Sequence, residues 1–176
     1  LVGNSSDKLK LEAVLVVSDD TVLEQMDKIC PLQEELEQIY LTKELCEQAL
    51  LGGLLLGGGG GGTLTAGREA LEETFKHTDK LTMLDVSELK PDDVVVNVST
   101  LGAPSAKDVH LTAEHWMTAL KNFELNYGKK IAGFTSCENG AISTANGWVI
   151  SALTGIPLVD APSNGRAHPT GTMGSI

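Results

Sequence analysis

Residues 131–160, IAGFTSCENGAISTANGWVISALTGIPLVD, decide the fold. The apolar run at 131–135 predicts a strand, the spacing of apolar residues at 141–153 predicts a helix, and residues 157–160 predict a second, short strand. A strand, a helix and a strand in this order form a unit whose two strands run parallel and are joined by a right-handed crossover. The segment therefore predicts an α/β protein.

The same alternation continues towards the amino terminus. Strands are predicted at 81–86 and 94–98, and helices at 42–51, 63–76 and 109–127. Alternating strands and helices predict a largely parallel sheet with helices on both faces. Residues 1–40 are predicted to form an N-terminal strand–helix extension, with a strand at 11–17 and a last helix at 31–40. Residues 41–176 are predicted to form the main domain.

Composition excludes several classes of partner. The chain has 13 basic and 24 acidic residues and a formal net charge of −11, which argues against binding nucleic acid or an anionic membrane surface. Its longest apolar run, residues 49–56, is too short to span a bilayer, and residues 1–10 do not resemble a signal peptide. Cys30, Cys46 and Cys137 have no CxxC spacing. We therefore expect a reduced, cytoplasmic location.

Six consecutive glycines, residues 57–62, follow three leucines and lead into the helix predicted at 63–76. A flexible linker is one interpretation and a ligand-binding loop is the other. We favour the ligand loop because the run joins predicted core elements at a helix N-terminus. No Lys-Ser or Lys-Thr follows the glycines, which excludes a P-loop. The candidate substrate-binding groups are the backbone N–H groups of Gly58, Gly59, Gly60, Gly61 and Gly62.

Further polar residues follow the predicted strands, where parallel α/β sheets bind their ligands. Each strand end supplies at least one such residue. The candidates are Asp85 after the first strand of the sheet, Ser99, Thr100 and Gly102 after the second, Ser136, Cys137 and Glu138 after the third, and Asp160 after the last.

Each reactive side chain among them has more than one interpretation. Glu138 can be a general base, a metal ligand or the N-cap of the helix that follows. Cys137 can be a nucleophile or a small core residue. Arg166 can bind a substrate carboxylate or pair with Asp160, and His168 can be an acid, a base, a ligand or a packing residue.

Several short motifs occur in a characteristic order. They are LLLGGGGGG ending at Gly62, LGAP at 101–104, ENG at 138–140, GIPLVD at 155–160 and GRAHP at 165–169. Together they resemble the N-terminal domain of the S-methyl-thiohydantoin desulfurase family, which is related to hydantoinases, from about residue 45 to the end. The departures are Thr63-Leu64 in place of Asp-Pro, Ala141 and Ser143 in place of glycine and asparagine, and His168 in place of an aromatic residue.

The resemblance implies hydrolysis of a small cyclic imide or thiohydantoin-like substrate with loss of a sulfur substituent. Glu138 would activate water, Arg166 would hold a substrate carboxylate and Asp160 would orient Arg166, with Cys137 and His168 completing the catalytic set. Gly102, Asn139 and Gly165 would join the glycines in substrate binding. The motifs assign no metal or cofactor. The expected partners are a small-molecule substrate, a C-terminal domain or second chain that is absent here, and other copies in a homo-oligomer.

Two other function classes stay open. A nucleotide-binding module would use Asp85 as an acidic contact, and a non-catalytic subunit would dock through the acidic N-terminal helices. We favour the hydrolase because the residues at the strand ends and the family motifs fall on the same loops.

Overall fold

A computed structural model describes residues 39–100 and 111–167 of the chain. The extension predicted at 1–40 lies outside these residues up to position 38, so its strand at 11–17 stays a prediction. The described residues belong to one unit that starts at Ile39. Within them, no helix is both long and apolar enough to cross a membrane.

The described residues form a five-stranded sheet whose strands lie in the order β1-β2-β5-β4-β3. The strands are β1 (Ile39–Leu41), β2 (Leu81–Leu84), β3 (Val94–Val98), β4 (Ile131–Ser136) and β5 (Leu158–Val159). All neighbouring pairs are parallel except β1 with β2, which is antiparallel. The prediction of an α/β fold with a largely parallel sheet is confirmed.

Strand β1 corrects the prediction that residues 31–40 end in a helix. Leu41 is buried and lies opposite Leu81, whereas the preceding Tyr40 lies opposite Thr82 and is exposed. Alternating burial is typical of a strand with one covered face. Residues 39–41 are a strand because the edge of β2 supplies hydrogen-bond partners for their backbone. The helical spacing of apolar residues at 31–40 contains no information about that distant partner.

Five α-helices and a short 3₁₀ helix (Val86–Glu88) accompany the sheet in the described part of the chain. The α-helices are α1 (Lys43–Gly57), α2 (Leu64–Thr74), α3 (Ala113–Tyr127), α4 (Ala141–Thr144) and α5 (Trp148–Thr154). Helices α1 and α2 begin at threonine caps, since the Thr42 and Thr63 hydroxyls accept bonds from the N–H groups of Leu45 and Ala66. Helix α1 continues to Gly57, beyond its predicted end at residue 51.

The single helix predicted at 141–153 is divided into α4 and α5. Gly147 separates them with a φ of 94°, in the left-handed region that favours glycine. A Cβ at this position would meet Leu158, Phe134 and Val98 at 3.4–3.8 Å, so the turn packs directly on the sheet. The break brings α5 onto the core, where Trp148 and Ile150 are buried with Phe134.

Candidate functional site

The glycine loop (residues 58–62) connects α1 to Thr63, the N-cap of α2. The φ angles are positive at Gly58, Gly59, Gly61 and Gly62, a conformation that other residues adopt only with strain. The N–H groups of Gly58 and Gly60 donate to carbonyls at the end of α1. Within the described residues, the N–H groups of Gly59, Gly61 and Gly62 donate to no protein atom. These three N–H groups are the candidate donors of the loop to a ligand oxygen.

This loop packs on the turn that precedes α4. The carbonyl of Gly61 accepts hydrogen bonds from the N–H groups of Ile142 (3.0 Å) and Ser143 (3.1 Å). A Cβ on Gly61 would lie 2.5 Å from the Cα of Gly140, and a Cβ on Gly140 would lie 2.5 Å from the Cα of Gly61. Both positions therefore require glycine, because the two backbones are in contact.

The packing excludes one interpretation of Glu138, namely that it caps the following helix. The N-cap residue of α4 is Gly140, and the Gly61 carbonyl accepts the N–H bonds that a capping side chain would take. Glu138 is half-buried and has an interaction partner of its own. Its roles as general base or metal ligand stay predictions.

The same turn is tied to the chain after β5. Glu138 forms an isolated parallel bridge with Asn164. The hydrogen bonds run from the N–H of Ser163 to Ser136 O (3.2 Å), from the N–H of Asn164 to Cys137 O (2.8 Å), from the N–H of Ala167 to Asn139 O (2.6 Å) and from the Asn139 amide to Gly165 O (3.0 Å). They hold residues 163–167 against residues 136–139 beyond the carboxyl ends of β4 and β5.

The glycine loop, the 138–140 turn and the 163–167 segment therefore meet at one edge of the sheet. Ala167 connects the first and the last, since a Cβ on Gly61 would lie 3.1 Å from the Ala167 Cβ. Arg166 precedes Ala167 and is exposed, and Gly165 is exposed as well. Two candidates, Gly102 and His168, lie outside the described residues, so their positions stay predictions.

Cys137 lies between the ends of β3 and β4. Its Sγ is 3.3 Å from the Ser99 Oγ, and the residue is half-buried. Cys46 in α1 differs, because it is fully buried and burial raises the pKa of its thiol to about 12. Of the two described cysteines, only Cys137 is placed where a ligand can reach it.

The two aspartates at strand ends have different surroundings. Asp160 is exposed, and its N–H donates to Leu84 O (3.0 Å), which extends the pairing of β2 with β5. Its pairing with Arg166 stays a prediction. The Asp85 carboxylate accepts bonds from the Ser87 hydroxyl (2.7 Å) and N–H (2.8 Å), and both bonds lower the pKa of Asp85. Asp85 thus caps its own turn, which weakens the nucleotide-contact hypothesis.

Sequence reasoning missed Ser143 as a residue of this site. Ser143 is 4% exposed, and its Oγ has no hydrogen-bond partner within the described part of the chain. A Cβ on Gly61 or on Gly140 would lie 2.6 Å from this oxygen. The family resemblance marks position 143 only as a serine in place of asparagine, and no local signal shows that its hydroxyl is buried without a partner.

Two further features of the described residues bear on metal and ligand binding. Within residues 39–100 and 111–167, no cluster of three or more His, Cys, Asp or Glu residues could hold a metal ion. A cavity of about 680 Å³ lies at the amino ends of β3 and β4, lined among others by Asp92, Asp93, Lys129 and Lys130. We give it less weight than the opposite edge, because parallel α/β sheets bind ligands at the carboxyl ends of their strands.

Comparison with known proteins gave two matches of interest. A family model described as "S-Me-THD-like, N-terminal domain" matches residues 45–176. A crystal structure of a protein from Chromobacterium violaceum is similar, with 31% sequence identity and a TM-score of 0.64 over 75% of this chain and 37% of that chain. The chain therefore spans little more than a third of that protein's length. No curated protein gave a match.

Proposed function

We propose that this chain, which belongs to the S-Me-THD-like family and carries its N-terminal domain, is part of a hydrolase acting on a small cyclic imide or thiohydantoin-like substrate. The observation that supports the proposal most is the meeting of the glycine loop, the 138–140 turn and the 163–167 segment. The backbones of Gly61 and Gly140 are in contact, and the N–H of Ala167 donates a hydrogen bond to the carbonyl of Asn139. These loops carry both the family motifs and the candidate reactive side chains.

The proposed reaction replaces a sulfur substituent of the ring by oxygen. The oxygen of a water molecule adds to the ring carbon that carries the sulfur, and the carbon–sulfur bond then breaks. One hydrogen of the water leaves with the sulfur as a thiol, and the other is transferred to the ring nitrogen. The ring carbon becomes a carbonyl carbon, so the reaction needs no oxidant or reductant.

The glycine loop suits the charge that develops in this step. Addition of water to the ring places negative charge on a ring atom, and N–H groups that are already oriented stabilise such charge. One donor of this kind typically lowers a barrier by about 3 kcal/mol. Gly59, Gly61 and Gly62 supply N–H groups that donate to no protein atom in the described residues. They are our candidates for this role.

The side chains divide the remaining tasks. Glu138 takes the proton of the attacking water as a general base, His168 is the further acid–base candidate and Cys137 is the candidate nucleophile. Arg166 binds a carboxylate of the substrate with its planar guanidinium group, oriented by Asp160. Arg166 is exposed, so a charged substrate group can reach it from solvent.

Glu138→Gln in the full-length protein tests the proposal. The amide keeps the size of the side chain but cannot accept a proton, so turnover should fall at least about 100-fold. Thiol release from an S-methylated thiohydantoin, followed with a chromogenic thiol reagent, measures it. Glu124→Gln on the exposed surface of α3 is the matched control and should retain turnover. Wild-type turnover in the Glu138 variant would refute the mechanism.

We further infer that the domain works together with a C-terminal domain or a second chain, in a homo-oligomer in the cytoplasm. The family model describes an N-terminal domain, and the C. violaceum chain extends well beyond the matched region. Light scattering measures the molar mass, and therefore the assembly state, of two samples: this chain alone and the full-length protein. A monomeric full-length protein would contradict the homo-oligomer.

A further inference from the structure

The Ser143 hydroxyl is buried without an acceptor. A serine in a helix usually donates to a carbonyl three or four residues earlier, here that of Gly140 or Asn139. The Asn139 carbonyl already accepts from the N–H of Ala167 (2.6 Å), and the Gly140 carbonyl accepts from the Thr144 hydroxyl (2.6 Å) and N–H (3.2 Å). The hydroxyl instead faces Gly61 and Gly140.

An unpartnered hydroxyl at this depth is unfavourable. Folding removes its hydrogen bonds to water and returns none, whereas an alanine at the same position would avoid that loss. Ser151 provides the contrast within the same chain: it is 3% exposed, and its Oγ donates to Ile156 O at 2.6 Å. A hydroxyl at position 143 becomes favourable only when an acceptor atom reaches it.

The glycine loop covers Ser143. It is held there by the hydrogen bonds from the N–H groups of Ile142 and Ser143 to Gly61 O. A Cβ added to Gly58 or Gly59 would meet no atom within 4 Å, so there is open space beside the first part of the loop. Movement of Gly60, Gly61 and Gly62 away from Gly140 would break these two hydrogen bonds and the contact of Gly61 with Gly140, and it would open the hydroxyl to a ligand.

We propose that Ser143 is a ligand-binding residue whose hydroxyl donates a hydrogen bond to a carbonyl oxygen of the substrate ring once the glycine loop has moved. The other groups that the loop offers, the N–H groups of Gly61 and Gly62, are donors too. A set of donors selects an oxygen acceptor, in a carbonyl or a carboxylate. The identification of the ring carbonyl rests on the proposed function.

The test uses Ser143→Ala and Ser151→Ala in the full-length protein. Hydantoin, measured by titration calorimetry, is the probe, and thermal unfolding without ligand is the second readout. Ser143→Ala should weaken hydantoin binding roughly three- to tenfold, the loss expected for one hydrogen bond, without lowering the melting temperature. Ser151→Ala should lower the melting temperature and bind hydantoin like the wild type.

The outcomes separate this inference from the proposed function. Unchanged hydantoin affinity in Ser143→Ala would overturn the inference and leave the function standing, and so would a melting temperature as low as that of Ser151→Ala. If the wild type does not bind hydantoin, the proposed function fails and acetate becomes the probe. Acetate binding that weakens in Ser143→Ala would support the binding role. Acetate binding that is absent or unaffected would overturn it.

Discussion

Alanine at Gly53 should destabilise the protein, although alanine is the better helix former. Gly53 lies in the interior of α1 and is buried. A Cβ at this position would lie 2.3 Å from the carbonyl oxygen of Gly140 and 2.4 Å from the Thr144 Oγ1. Neither atom moves easily, because the Thr144 hydroxyl donates to the same Gly140 carbonyl at 2.6 Å. Helix α1 thus depends on the absence of a side chain to reach α4.

The neighbouring Gly52 supplies a matched control. It is in the same helix, and a Cβ there would meet nothing within 4 Å. Gly52→Ala should therefore stabilise the protein by about 1 kcal/mol through helix propensity alone. Gly53→Ala gains the same amount but incurs overpacking at the upper end of the usual range, about 3 kcal/mol. The two variants should differ by about 3 kcal/mol, or roughly 6–12 °C in melting temperature.

Urea unfolding followed by tryptophan fluorescence measures this difference, since Trp148 is buried in the fold. The wild type should fall between the two variants in the denaturant midpoint. Gly53→Ala should also reduce turnover in the full-length protein, because the clash is with the residue that contacts the glycine loop. A Gly53→Ala variant as stable as Gly52→Ala would refute the close packing of α1 on the 138–140 turn.

Two other predictions concern the loop and the buried thiol. Gly61→Ala should destabilise the protein more than Gly59→Ala. The φ angle is positive at both positions, 74° at Gly61 and 97° at Gly59, but only a Cβ on Gly61 would meet other atoms. Equal losses of stability in urea unfolding would contradict this. Burial raises the pKa of Cys46 from 9.0 to about 12, so iodoacetamide at pH 8 should modify Cys137 well before Cys46 in the native protein, as peptide mass mapping would show. Because the folded chain keeps the Cys46 proton that the unfolded chain loses, the free energy of unfolding should also fall as the pH rises from about 9 towards 12, and a Cys46→Ala variant should show a weaker pH dependence than the wild type.

The fold was largely predictable because its signals are local. The apolar run at 94–98 became β3 with the predicted bounds. The family resemblance was confirmed by the match to residues 45–176. The errors occurred where a distant partner decided the structure. Residues 39–41 pair with β2, and the helix at 141–153 breaks where Gly147 packs on Phe134.

The candidate site was predictable only in part. Strand-end position was sufficient to select Cys137 and Glu138 as candidates, because parallel strands bring their carboxyl ends to one edge. It was not sufficient to decide whether Glu138 caps a helix, since the Gly61 carbonyl accepts those N–H bonds. The resemblance marked Ser143 only as a departure from the family pattern, because an unpartnered hydroxyl is recognised only when every nearby acceptor has been located.

The amino-acid sequence alone determined the α/β class of the fold, the place of the glycine run between two helices and the family. These follow from hydrophobic periodicity and residue type, which are properties of neighbouring residues. The close approach of Gly61 to Gly140, and the burial of Ser143 beneath it, were decided by tertiary structure alone. The physical reason is that contact between backbones far apart in sequence depends on how helices and sheet pack together. No pattern within either segment specifies that packing.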